Sequence, residues 1–320
     1  MKHSVTITAT LLLIFVLAQF YGLFVVSEYI DIEESAKTGK TVPRDEMYAN
    51  GKITPVLVEN ESFSWIYLVI PVLFGTLAVL LLIKFKQGNL WKFWFFFSVV
   101  LTLTLALIPL FARLFKNIPF ISEHLYGMTL FVAALLAYFK VFRNQIFIHN
   151  LTEIFIYGGL AALLVPLFNV FAITIALLLF ALYDMYAVWK SKHMIAMAKF
   201  QTEQKVFAGL YIPYTVDKKQ GAVPVALEKQ KSMKTLKKIP SETKTMSTAI
   251  LGGGDVAFPL LFSGVLLKTT GGFVAPVITT LTTTCALALL FYYGEKGKFY
   301  PAIPFIAGGC FVGYGLFLLL

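Results

Sequence analysis

Apolar residues in this chain come in long runs rather than in the alternating or amphipathic patterns of a soluble core. Nine such runs are separated by polar segments: Val5–Val26, Trp65–Ile83, Phe93–Phe111, Leu125–Val141, Leu151–Leu167, Val170–Trp189, Thr248–Leu267, Phe273–Tyr293, and Pro301 to the C-terminus. Runs of about 17–25 apolar residues are the length of a transmembrane helix. The pattern predicts an all-α membrane protein with nine transmembrane helices. It divides the chain into three parts. Residues 1–189 hold the first six spans, residues 190–247 form a long basic loop, and residues 248–320 hold the last three spans. Val5–Val26 reads as a retained helix, since no clean cleavage site follows it; a signal anchor stays open as the alternative.

Composition agrees. The 320 residues are 58% hydrophobic and only 14% charged, more apolar sequence than any soluble core requires. The net charge of +10 would suggest nucleic acid in a soluble protein. In a membrane protein it reflects basic cytoplasmic loops facing anionic lipid, so membrane lipid is the expected partner and nucleic acid is not. With the N-terminus inside, 20 of the 27 Lys and Arg residues fall on the inner side and seven on the outer side. The positive-inside rule therefore puts the N-terminus and the long loop in the cytoplasm and the C-terminus outside. Cys285 and Cys310 lie in apolar spans and read as small buried hydrophobes. The four histidines, His3, His124, His149 and His193, read as solvated interfacial residues. Neither set has metal-ligand spacing, so no metal and no cofactor are expected.

Within the apolar runs two aspartates stand out, Asp184 and Asp255. A charge in hydrocarbon costs roughly 2.5–3.5 kcal/mol on insertion scales, so such a residue faces protein or water and marks a functional site by default. Asp184 lies about 8–9 Å from the inner end of the sixth span and Asp255 about 10 Å from the inner end of the seventh. Antiparallel neighbours would set the two carboxyls side by side. Two carboxyls sharing one proton can activate a water against a peptide carbonyl and protonate the leaving amine, without metal or cofactor. The same pair also suits an ion or proton pathway, so a proton-coupled transporter or cation leak is the rival reading. A non-enzymatic membrane scaffold is a third.

Gly252, Gly253 and Gly254 precede Asp255. Glycine weakens a helix start and permits close approach of another chain, which a substrate opened into extended form requires; close helix packing is the plainer reading. Pro301-Ala302-Ile303 opens the last span on the same inner side, either as an ordinary helix start or as a segment presenting backbone groups beside the aspartates. In the basic loop, Val206–Val216 is apolar and β-prone. It fits a cover over the substrate entrance, a strand that pairs with an extended substrate, or a lone interfacial segment.

Tyr183-Asp184, Gly252-Gly253-Gly254-Asp255 and Pro301-Ala302-Ile303, in this order on these spans, resemble the presenilin and signal-peptide-peptidase family of intramembrane aspartyl proteases. The chain looks most like a microbial, archaeal-type presenilin homologue. The resemblance implies that Asp184 and Asp255 are the catalytic pair. Tyr183, Gly252, Gly253 and Gly254 would support the active site, and Pro301, Ala302 and Ile303 would seat substrate. Ile303 departs from the leucine of the family pattern. The orientation from charge resembles that of presenilins, implying transmembrane substrates with their N-termini outside. Companion subunits or a homo-oligomer, and self-cleavage within residues 190–247, are further implications; a solvated basic linker accounts for most of that loop equally well.

Overall fold

The computed structural model describes residues 5–44, 57–58, 60–118, 123–143, 145–191, 206–216, 245–294 and 300–320, with Met197, Phe200, Gln201 and Gln204. Most of the basic loop, the last loop around Glu295–Lys298, Lys2, His3 and His193 lie outside the described residues, and with them the question of self-cleavage.

Helix α1 (Val5–Tyr29) is followed by a short helix α2 (Ile32–Thr38), capped by Asp31, which accepts the Glu34 N–H at 3.0 Å, and closed by Gly39 in the left-handed conformation. Then come α3 (Trp65–Lys84), α4 (Gly88–Leu114), α5 (Leu125–Tyr138) running into a π turn (Phe139–Arg143), and α6 (Ile146–Leu164). Asn169 caps α7 (Val170–Tyr186) by accepting the Ala172 N–H at 2.8 Å. A second π turn, Ala187–Ser191, ends it. Strands β1 (Gly209–Val216) and β2 (Thr245–Gly252) form an antiparallel pair. The chain ends with α8 (Gly253–Thr270), α9 (Val274–Tyr293) and α10 (Ile303–Leu318).

Seven of these helices, α1, α3 to α7 and α9 with their end turns, are long and apolar enough to cross a membrane. The helices of the other two predicted spans do not meet that measure. Helix α8 carries Asp255 and Lys268, and α10 has 16 residues, about 24 Å of helix against a hydrocarbon core of about 30 Å. Large apolar side chains such as Phe74, Phe97, Phe131 and Leu182 project outward, as lipid-facing residues do.

Helix α8 is the centre. Its residues from Val256 to Lys268 are almost all buried, against α1, α6, α7, α9 and α10. Around it, small residues let backbones approach. A Cβ on Gly159 of α6 would run into the Thr102 carbonyl of α4, and one on Gly309 of α10 would stand 2.8 Å from Thr283 Cα of α9.

The seventh span is where the architecture departs most from expectation. The helix begins at Gly253, not Thr248; Thr245–Gly252 is extended. The glycines break the helix, and the β-branched residues before them find a strand partner in Gly209–Val216. The apolar Val206–Val216 segment is therefore mostly half of a hairpin. Among the histidines, His124 is exposed as expected, but His149 is only 5% exposed. Cys310 is buried, whereas Cys285 is exposed, lining a groove between α9 and α10 with Pro304, Phe305 and Gly308.

Candidate active site

Helices α7 and α8 run antiparallel. Lys268, near the end of α8, reaches Pro166, just before α7, with Nζ 3.5 Å from its carbonyl oxygen. Fourteen residues on from Pro166 and ten back from Lys268, the rings of Phe180 and Phe258 meet at a tilt of 31° with centroids 4.6 Å apart. Asp184 lies four residues beyond Phe180 on the same helix face, and Asp255 three residues before Phe258 on the same face. Both carboxyls extend in one direction from the ring contact, by about 6 Å and about 4.5 Å. This contact replaces the depth count from the span ends, since Asp255 sits in the first turn of its helix rather than seven residues in.

Asp184 is 4% exposed. Its Oδ2 accepts the Ile303 N–H at 3.2 Å. The N-terminus of α10 thus points at Asp184, where its unpaired amides and dipole suit an acidic group. Pro301 is buried; Ala302 and Ile303 are half-buried. Tyr183 is half-buried, with its hydroxyl 3.5 Å from Thr76 Oγ1 of α3.

Asp255 is half-buried at the third position of α8, with Gly252 as the cap residue. Its carboxyl folds back over that cap, so that a Cβ on Gly252 would stand 3.1 Å from Oδ2. Gly253 lies where a Cβ would meet both the Ala208 carbonyl and the Tyr157 hydroxyl at 3.3 Å. The three glycines leave room for the hairpin, for Tyr157 and for the aspartate itself. Pro259, four residues on, removes the N–H that would bond the Asp255 carbonyl within the helix. Gln19 of α1 donates to the next carbonyl, Val256, at 2.8 Å.

A second group of buried polar residues lies behind Asp255. Lys140 Nζ, from the π turn, is 2.5 Å from Glu153 Oε1 and 3.2 Å from His149 Nδ1. The Tyr157 hydroxyl is directed at Glu153 and feels the charge of Asp255, without a hydrogen bond of ordinary geometry. Sequence reasoning passed over this set. Lys140 stands at the inner end of the Leu125–Val141 run, where a cation is ordinary, and Glu153 stands inside the Leu151–Leu167 run. The rule applied to the aspartates, that a charge within a span needs a reason, would have found it. A third cluster, far from the aspartates, joins Lys268 Nζ to Thr41 Oγ1 at 2.5 Å and to Glu61 Oε2 at 3.1 Å, tying the first loop to the end of α8.

The family model for signal-peptide peptidase, presenilin aspartyl protease matches residues 47–320. The chain belongs to this family and is a multi-pass membrane protein and an intramembrane aspartyl protease. Two solved structures of a presenilin family intramembrane aspartate protease share its fold. One, in a P2 space group, is 15% identical and superposes with a TM-score of 0.59 over 97% of this chain and 96% of that one. The other, in a C222 space group, is 14% identical with a TM-score of 0.58 over 98% and 99%. Among curated proteins none matches the sequence.

Proposed function

We propose that this protease hydrolyses peptide bonds within transmembrane segments, with Asp184 and Asp255 as its catalytic pair. One aspartate takes a proton from water as the water attacks the scissile carbonyl. The other, protonated, supports the carbonyl oxygen and then protonates the leaving amine. The observation that carries this reading is the Phe180–Phe258 contact, one helical turn from both carboxyls. The backbone bond from Ile303 holds Asp184 from one side, which gives Pro301-Ala302-Ile303 a positioning part as well as a substrate-facing one.

Nine spans with a cytoplasmic N-terminus remain our reading of the topology. Lys140 and Lys268 are buried rather than solvated, but removing one cation from each side leaves the charge bias as it was. The site then opens toward the cytoplasm, and substrates enter with their N-termini outside.

The hairpin suggests how an opened substrate is held. The Gly253 N–H bonds the Ala208 carbonyl at 3.2 Å, so in this antiparallel ladder Leu210 and Ile212 turn their backbone groups toward β2, while Gly209, Tyr211 and Pro213 turn theirs away. Gly209 and Tyr211 are taken by α6, and Pro213 has no N–H. The outer edge of β2, at Thr248, Ile250 and Gly252, carries no such cover among the described residues; Thr248 and Ile250 are exposed, and the edge leads directly to Asp255. An extended substrate adds to that edge.

The test uses liposomes bearing the protein and a tagged single-span substrate, in wild-type, Asp184→Ala and Asp255→Ala forms. Cleavage by wild type that vanishes in both variants supports the reading. Cation flux that vanishes in both, with no cleavage by wild type, would favour the ion pathway instead.

A further inference from the structure

The polar set on α6 is not used by the two-aspartate chemistry or by the β2 edge. His149, Glu153 and Tyr157 recur at four-residue intervals and form one stripe, at 5%, 2% and 4% exposure. Lys140 meets them at 2% exposure. Apolar residues of similar volume would hold the helices together as well as a buried ion pair, or better. The set must therefore be judged by what it orients.

An ammonium group can only donate, so His149 Nδ1 accepts from Lys140 and the ring hydrogen sits on Nε2. That nitrogen donates to the Gly209 carbonyl at 2.8 Å. The adjacent Asn150 grips Tyr211 at two points, donating to its carbonyl at 2.8 Å and accepting its N–H at 3.1 Å. The His149 ring also packs on the Tyr211 ring, centroids 4.7 Å apart. Together the two side chains treat the outer edge of β1 as a neighbouring strand would. They also select one alignment. A slip of β1 by one residue turns its outward groups away; a slip by two brings Pro213, which lacks an N–H, to Asn150 in one direction, and in the other carries Gly209 out of its pairing with Gly252.

The alignment passes to the catalytic helix. Gly209 pairs with Gly252, and its neighbour Ala208 accepts the N–H of Gly253, the first residue of α8. Gly209 itself has φ +144, and a Cβ there would meet the Leu251 carbonyl at 2.5 Å. Only glycine fits this junction.

We propose that Lys140, Glu153, His149 and Asn150 form a register clamp, which holds β1, and through it β2, at one alignment to Asp255 and so fixes which substrate bond is cut. The clamp rests on the protease reading and on the β2 edge as the substrate's seat. Its members are positioning residues, and none of them touches the reacting atoms.

The test is product mapping by mass spectrometry, with the full-length protein in nanodiscs and a tagged single-span substrate. Asn150→Ala and His149→Ala each remove part of the clamp; His149→Gln restores an N–H donor. The clamp predicts one dominant cut by wild type. In both alanine variants the cuts spread to bonds one or two residues away, with turnover reduced by no more than about tenfold, the scale of a lost hydrogen bond or two. His149→Gln recovers the dominant cut. The same dominant cut in every variant, with turnover falling only as thermal stability falls, would overturn the clamp and leave a structural role. Should Asn150→Ala fail to fold, the His149 pair decides. Asp255→Ala runs beside them: cutting that survives there would sink the protease reading itself, whereas a silent Asp255→Ala with an unmoved cut in the other variants sinks only the clamp.

Discussion

The Lys140–Glu153 pair offers the sharpest stability prediction. Both side chains are within a few per cent of complete burial, at 1% and 3%, and their charged atoms are 2.5 Å apart. Salt and water do not reach such a pair, so surface-pair values of 0.2–1 kcal/mol do not apply. Lys140→Met leaves a buried carboxylate without its cation, and Glu153→Gln leaves a buried ammonium without its anion. Each should cost about 3–5 kcal/mol. Lys140→Met/Glu153→Gln removes both charges at nearly constant volume and leaves only neutral groups, His149 Nδ1 and the new amide, short of partners, a loss of about 1–3 kcal/mol. The double variant should therefore lie within about 3 kcal/mol of wild type and be more stable than either single one. Reversible unfolding in mixed micelles, followed by circular dichroism, supplies the three free energies and the coupling between the sites. Single variants that each cost under about 1 kcal/mol, or a double variant no more stable than the worse single one, would refute the reasoning.

Three further outcomes follow from the packing and the topology. Gly159→Ala should destabilise by about 1–3 kcal/mol in the same assay, because its new Cβ meets the Thr102 backbone, which cannot rotate aside, while Gly127→Ala, with open space around it, should not. A lipid-soluble maleimide should label Cys285 in the folded protein and Cys310 only after unfolding, as read by mass spectrometry; labelling of both at equal rates would contradict the packing of α9 on α10. Protease added outside sealed right-side-out vesicles should spare the segment 190–247 and cut it in inverted ones; the reverse would overturn the charge-based orientation.

Hydrophobic run length located every helix that packs around the site, because a helix in hydrocarbon must be apolar along most of its surface. Asp184 and Asp255 were legible for the complementary reason, as charges where charge is costly. The boundary at Gly252–Gly253 was not, since an apolar run looks the same whether it begins as strand or helix, and only the partner strand Gly209–Val216, distant in sequence, decides. The buried positions of Lys140 and His149 were hidden by location. At the end of a span, a cation has two outcomes, solvent or a buried partner, and the partner here lies on the next helix. Tyr157 and Gln19 gave no signal at all. Each is a single polar residue in an apolar run, and its proximity to Asp255 or Val256 exists only after folding.

The central claim is that two carboxyls, set one turn from the Phe180–Phe258 contact near the cytoplasmic ends of α7 and α8, cut a substrate that lies alongside them. The most direct measurement is the mass of each product from a single-span substrate of known boundaries, for wild type and for the near-isosteric Asp184→Asn and Asp255→Asn variants. The account predicts cuts in the cytoplasmic third of the substrate's span by wild type and none by either variant. Cuts in the outer half of the span, or cuts that persist when either aspartate is replaced, would contradict it.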